Sequence, residues 1–98
     1  MQVSKSMSLH TENCSDENWH VYLLECADGT FYCGIAKDLA TRLAQHNGEL
    51  QGGGKYTAGR RPVKLLASRC FNSRSCALKL EHFVKSRPRN EKLSIMHD

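Results

Sequence analysis

Three residues between two strand-like runs constrain this chain most. Trp19 to Cys26 alternates and is rich in Val, Tyr and Leu, and Phe31 to Ala36 continues the same character. Between them stands Ala27-Asp28-Gly29, with Asp-Gly as a hairpin signal. A two-residue turn at Asp28-Gly29 would pair Glu25 with Tyr32 and send Tyr22 and Tyr32 to opposite faces. A three-residue loop pairs Leu24 with Tyr32 and Tyr22 with Gly34, which sets both rings on one face. Glycine in the left-handed position closes such a loop well. This register also gives the other face Trp19, Val21, Leu23, Phe31, Cys33 and Ile35, a coherent core set. The three-residue loop is therefore expected, with open space beside the Tyr22 ring at Gly34.

The rest of the chain is built onto this hairpin. Asp38 is expected to cap a helix running to about Asn47, with Leu39 and Leu43 inward and Gly48 at its end. Glu49 to Pro62 reads as a loop, marked by Gly52-Gly53-Gly54. Val63 to Phe71 reads as a third strand. Ser73 or Ser75 starts a second helix to about Lys85, with Cys76, Leu80 and Phe83 inward. Pro88 breaks the chain, and a short last helix with Leu93 and Met96 follows. The order β-β-α-β-α-α describes an α+β domain: a three-stranded antiparallel sheet flanked by two to three helices. Residues 1–18 are polar and aperiodic, so a disordered tail is expected there, with the folded domain over 19–98.

The 98 residues suffice for one core, and no apolar run is long enough to span a membrane. No secretory signal is evident, so a cytoplasmic protein is expected. The five cysteines, Cys14, Cys26, Cys33, Cys70 and Cys76, contain no C-x-x-C pair, which speaks for reduced thiols over a zinc site or disulfide framework. Charge is concentrated: between Lys55 and Arg89 ten cations accompany a single acid, Glu81. Such a surface favours a polyanion, most simply nucleic acid.

Two tyrosines on one face would be ordinary strand packing by themselves. They are followed, however, by a helix carrying Arg42 and His46 at i and i+4, hence on one side. Arginine can grip a phosphate through its planar fork, and histidine can take or relay a proton. Glu81 is a hard oxygen ligand suited to Mg2+ or Mn2+, against the plainer reading of an i to i+4 pair with Lys85. A Cys33–His46 nucleophilic pair is disfavoured, because the chosen register points Cys33 into the core. Gly52-Gly53-Gly54-Lys55 is not a nucleotide-phosphate loop, since Tyr56 stands where Ser or Thr is needed. A flexible, basic loop facing the substrate fits it better.

In order and spacing these residues resemble the GIY-YIG nuclease domains, over about Trp19 to Lys85. The first motif ends in a tyrosine, here Tyr22 in His20-Val21-Tyr22. The second is tyrosine-any-glycine, here Tyr32-Cys33-Gly34. A helical arginine follows at Arg42, and a glutamate on the second helix at Glu81. The stretch from Gly52 to Leu66, with Lys55, Tyr56, Thr57 and Arg60-Arg61-Pro62, is similar to the small, single-domain branch of that family. The resemblance implies a metal-dependent endonuclease, acting on DNA in the first instance, with a repair- or structure-related substrate. It implies Glu81 as metal ligand, Arg42 balancing charge on the phosphoryl group, and a tyrosine, Tyr22 or Tyr32, accepting the proton of an attacking water, with His46 the alternative base that the residues themselves offer. Lys55, Tyr56, Arg60 and Arg61 are the expected nucleic-acid contacts. The alternatives are a non-catalytic nucleic-acid-binding module and a nuclease subunit that needs a protein partner.

Overall fold

The computed structural model describes residues 18–97. Most of the expected tail lies outside the described residues. β1 (Trp19–Glu25) and β2 (Phe31–Ala36) form the antiparallel hairpin. Tyr22 pairs with Gly34 and Leu24 with Tyr32, which is the register of the three-residue loop. Gly29 closes that loop at φ 85°, in the left-handed region that glycine enters without cost, and its N–H donates to the Cys26 carbonyl at 2.9 Å.

β3 (Lys64–Phe71) adds antiparallel to the other side of β1, giving the order β2-β1-β3. A bulge falls opposite Leu23 and Leu24, where the pairing skips from Ala67 to Leu65. α1 (Leu39–His46) starts at Asp38, whose side chain accepts from the Thr41 N–H. α3 (Arg74–Ser86) starts likewise at Ser73, which accepts from the Cys76 N–H, and α4 (Arg89–His97) closes the described chain. Between α1 and β3, the stretch expected as pure loop holds one helical turn, α2 (Lys55–Ala58). The α+β reading holds, with this short fourth helix added.

The strand alternation divides the interior. On one side of the sheet Val21, Leu23 and Cys33 pack against Ala77 and Val84 of α3 and Met96 of α4. Trp19, Phe31 and Ile35 join the same cluster, as the register requires. On the other side Tyr22, Leu24, Cys26 and Val63 pack with Tyr32, Leu39 and Leu43. α1 and the tyrosines thus share one face, and α3 covers the opposite one. The inward stripe of α3 is rotated from the expected one. Ala77 and Val84 are buried, whereas Cys76 is exposed and Phe83 is 51% exposed. Cys26, Cys33 and Cys76 are free thiols, but Cys70 is disulfide-bonded, against the expectation of reduced thiols throughout; Cys14 lies outside the described residues.

Candidate active site

β1 and β2 bring Tyr22 and Tyr32 side by side, with ring centroids 6.4 Å apart. α1 lays its last residue against both. His46 meets Tyr32 edge-on at 5.1 Å and Tyr22 at 5.8 Å. The two tyrosines differ in what they can reach. Tyr22 is 1% exposed, and its hydroxyl lies 2.9 Å from His46 Nε2. Tyr32 is half-buried, and among the described residues its hydroxyl has no hydrogen-bond partner. Gly34 is what lets the Tyr22 ring lie flat on β2. A Cβ there would stand 2.6 Å from the Tyr22 hydroxyl oxygen. The expected open space is therefore filled by the tyrosine itself.

His46 is fully buried, so it cannot meet a substrate directly. Its Nδ1 lies 2.7 Å from Thr57 Oγ1, and Thr57 is also fully buried. The Thr57 hydroxyl in turn reaches the Gly54 carbonyl at 3.3 Å. Burial, with the guanidinium charges of Arg42 and then Arg61, pushes His46 down to about 4, so it is neutral at physiological pH. Burial also pushes the Tyr22 phenol up to about 12, against the downward pull of a hydrogen bond from Arg42.

Arg42 donates from Nη1 to Gln45 Oε1 at 2.8 Å and to the Gly52 carbonyl at 2.7 Å, and its charge lies near enough to Tyr22 to pull on that phenol. A guanidinium has five N–H donors, so others remain for a ligand beyond the two that Gln45 and Gly52 occupy. The glycine run passes close against the end of α1. A Cβ on Gly53 would stand 2.3 Å from the Gln45 backbone oxygen, so only glycine passes there.

Of the expected nucleic-acid contacts, Tyr56 stands beside Tyr32 at 5.5 Å and is 38% exposed. Arg60 stacks over Tyr56 at 4.1 Å and pairs with Asp28 at 3.0 Å. Arg61 donates from Nε to the His46 carbonyl at 2.7 Å. Lys55 is exposed and, among the described residues, makes no ion pair. Glu81 is not in contact with this cluster. It lies on α3, across the sheet, and its carboxylate pairs with Lys85 at 3.2 Å. It is near enough to Cys33 to raise that thiol, which burial above all pushes up to about 11. Cys33 and His46 are on opposite faces, so they form no nucleophilic pair.

The donor set for a divalent ion is thin but chemically suitable. No group of three His, Cys, Asp or Glu side chains gathers among the described residues. Glu81 keeps 13% of its side chain exposed, and an i to i+4 pair with a lysine that is 52% exposed is worth only about 0.2–0.5 kcal/mol. Mg2+ commonly takes one carboxylate and draws its other ligands from water and substrate phosphate. Glu81 fits that use.

Gln45, Gly53 and Thr57 went unassigned in the sequence. Thr57 had a signal in the Lys55-Tyr56-Thr57 run, but only the fold shows that its hydroxyl meets His46.

Comparison with known proteins gives a consistent picture. The profile of the GIY-YIG catalytic domain matches residues 18–94. The chain is 43% identical over 82 residues to a UPF0213 protein of Nitratidesulfovibrio vulgaris, covering 84% of this chain and 73% of that one. It is 42% identical over 80 residues to a UPF0213 protein of Haloquadratum walsbyi, covering 81% and 86%. The solution NMR structure of a UPF0213 protein from Bacillus halodurans, 39% identical, matches with a TM-score of 0.51 over 80% of this chain and 81% of that one. Among the described residues no helix is long and apolar enough to cross a membrane.

Proposed function

Since this chain belongs to the GIY-YIG catalytic-domain family, a nuclease family whose substrate is nucleic acid, we propose that it is a divalent-metal-dependent endonuclease acting on DNA. The observation that carries this reading is the meeting of Tyr22, Tyr32, Arg42 and His46 on one face of the sheet, beside the exposed Tyr56 and Lys55.

The roles follow from accessibility. Tyr32, half-buried and with no hydrogen-bond partner for its hydroxyl among the described residues, orients the attacking water and, in its phenolate form, takes the water's proton to become the neutral phenol. Arg42 offers its remaining N–H groups to the phosphoryl oxygens as negative charge develops there. Tyr22 and His46 stand behind them and hold Arg42 in place. Lys55, Tyr56, Arg60 and Arg61 meet the nucleic-acid backbone, which positions the strand without reading bases. Glu81 is the residue that would hold Mg2+ or Mn2+, and the ion would supply Lewis-acid chemistry toward a substrate phosphate.

One observation favours a second reading, a nucleic-acid-binding module without catalysis: the Glu81 carboxylate is already paired with Lys85 and stands apart from the tyrosines. The two readings separate in one experiment. Single-stranded, nicked, flapped and branched DNAs are incubated with wild type and Glu81→Ala in Mg2+ or Mn2+. The expected result is nicking by wild type, lost in Glu81→Ala, with binding in EDTA unchanged. Binding without cleavage on every DNA would favour the module. Full cleavage by Glu81→Ala would overturn the metal role.

A further inference from the structure

The buried polar groups behind Arg42 can be hydrogen-bonded in only one complete way. The Gly54 carbonyl can only accept, so the 3.3 Å contact requires the Thr57 hydroxyl to donate to it. Thr57 Oγ1 has one proton, so at 2.7 Å it must then accept from His46, and Nδ1 carries the hydrogen. His46 is neutral, so Nε2 is bare and accepts from the Tyr22 hydroxyl at 2.9 Å. That leaves the Tyr22 oxygen free to accept from Arg42.

The opposite tautomer fails this count. With the hydrogen on Nε2, the Tyr22 oxygen would accept from His46. Its own proton would have no acceptor among the described residues, in a side chain 1% exposed. Gly54 would lose its donor as well. A stranded buried donor costs about 1–3 kcal/mol, more than ordinarily separates the two imidazole tautomers.

We propose that Thr57 is a positioning residue: its hydroxyl fixes His46 as the Nδ1–H tautomer, so that Tyr22 turns its proton to Nε2 and a lone pair to Arg42. The donors then run one way, from Arg42 through Tyr22, His46 and Thr57 to the Gly54 carbonyl. Each bond polarises the next. Arg42 itself is also tied to the Gly52 carbonyl. The tautomer assignment stands on the hydrogen-bond count alone; its effect on phosphodiester cleavage rests on the nuclease reading above.

The test uses 15N-labelled full-length protein. Long-range 1H–15N correlation of the His46 ring distinguishes the protonated from the bare nitrogen. Wild type and Thr57→Ser, which keeps the hydroxyl, are expected to show Nδ1–H. Thr57→Val, of the same shape without the hydroxyl, is expected to lose that single tautomer. In nicking assays Thr57→Val should lower kcat about tenfold or more with KM little changed, since a misaimed guanidinium costs the transition state above all, and Thr57→Ser should restore it. An Nε2–H ring in wild type overturns the proposal, as does a Thr57→Val protein that keeps Nδ1–H and full kcat. If wild type cleaves no nucleic acid, the nuclease reading falls, and the NMR result still decides the tautomer.

Discussion

His46 offers no surface to solvent, and that decides how it can serve. From sequence, a histidine four residues after an arginine could be a base at the substrate. In the fold it is an internal relay held neutral by burial and by Arg42 and Arg61. Its depressed proton affinity has a consequence for stability. Between pH 6.5, the ordinary histidine value, and about 4, the unfolded chain binds a proton at His46 that the folded chain refuses. The unfolded state then carries more protons, so stability is complete above pH 6.5 and falls as pH falls through this window. The loss from this group is at most about 3 kcal/mol. Urea unfolding at pH 7 and pH 4.5 should show it, and the difference between the two should shrink in His46→Gln.

At the scale of elements, the pairing of β1 with β2 makes the site. The register was legible because alternation, an Asp-Gly turn and a glycine able to enter the left-handed region all favoured one loop length. The third strand and the cap residues Asp38 and Ser73 were legible for similarly local reasons. The phase of α3 was not: Cys76, Leu80 and Phe83 form as good an apolar stripe on paper as Ala77, Leu80 and Val84. Only packing against Cys33 and Leu23 selects the second. α2 was hidden because a single turn carries no periodicity, and Thr57 matters through a residue eleven positions earlier. The strand pairing also yields a test. Gly34→Ala sets a methyl 2.6 Å from the Tyr22 hydroxyl oxygen and 2.8 Å from its ring carbon. The ring must leave His46 to admit it. A loss of about 1–3 kcal/mol in unfolding free energy is expected, with nicking impaired, whereas a variant as stable and active as wild type would mean that the ring has room to move.

Across the whole molecule, the same sheet separates two chemistries. The tyrosines and Arg42 lie on one face, and Glu81 is carried by the helix that covers the other. The sequence presents these residues as one constellation; the fold distributes them between layers, which local patterns cannot reveal. Charge also belongs to this scale. Arg60 and Arg61 each make bonds within the protein, whereas Lys55 is exposed and makes no ion pair among the described residues. Lys55→Ala should weaken binding of all DNA sequences alike and reduce the slope of log K against log salt by about 1. Fluorescence anisotropy titrations at several salt concentrations measure this, and an unchanged slope would remove Lys55 from the interface.

A run of glycines usually lends a chain slack; here it lends main-chain oxygens. One steadies Arg42 directly, and another, two residues on, takes up the far end of the same line of hydrogens. No side-chain replacement can delete a carbonyl, so a substitution in this run acts only by diverting the backbone path from 52 to 54, as a Cβ at Gly53 would. The run's weak point is length: one residue more or less between those oxygens would put the two anchors out of step.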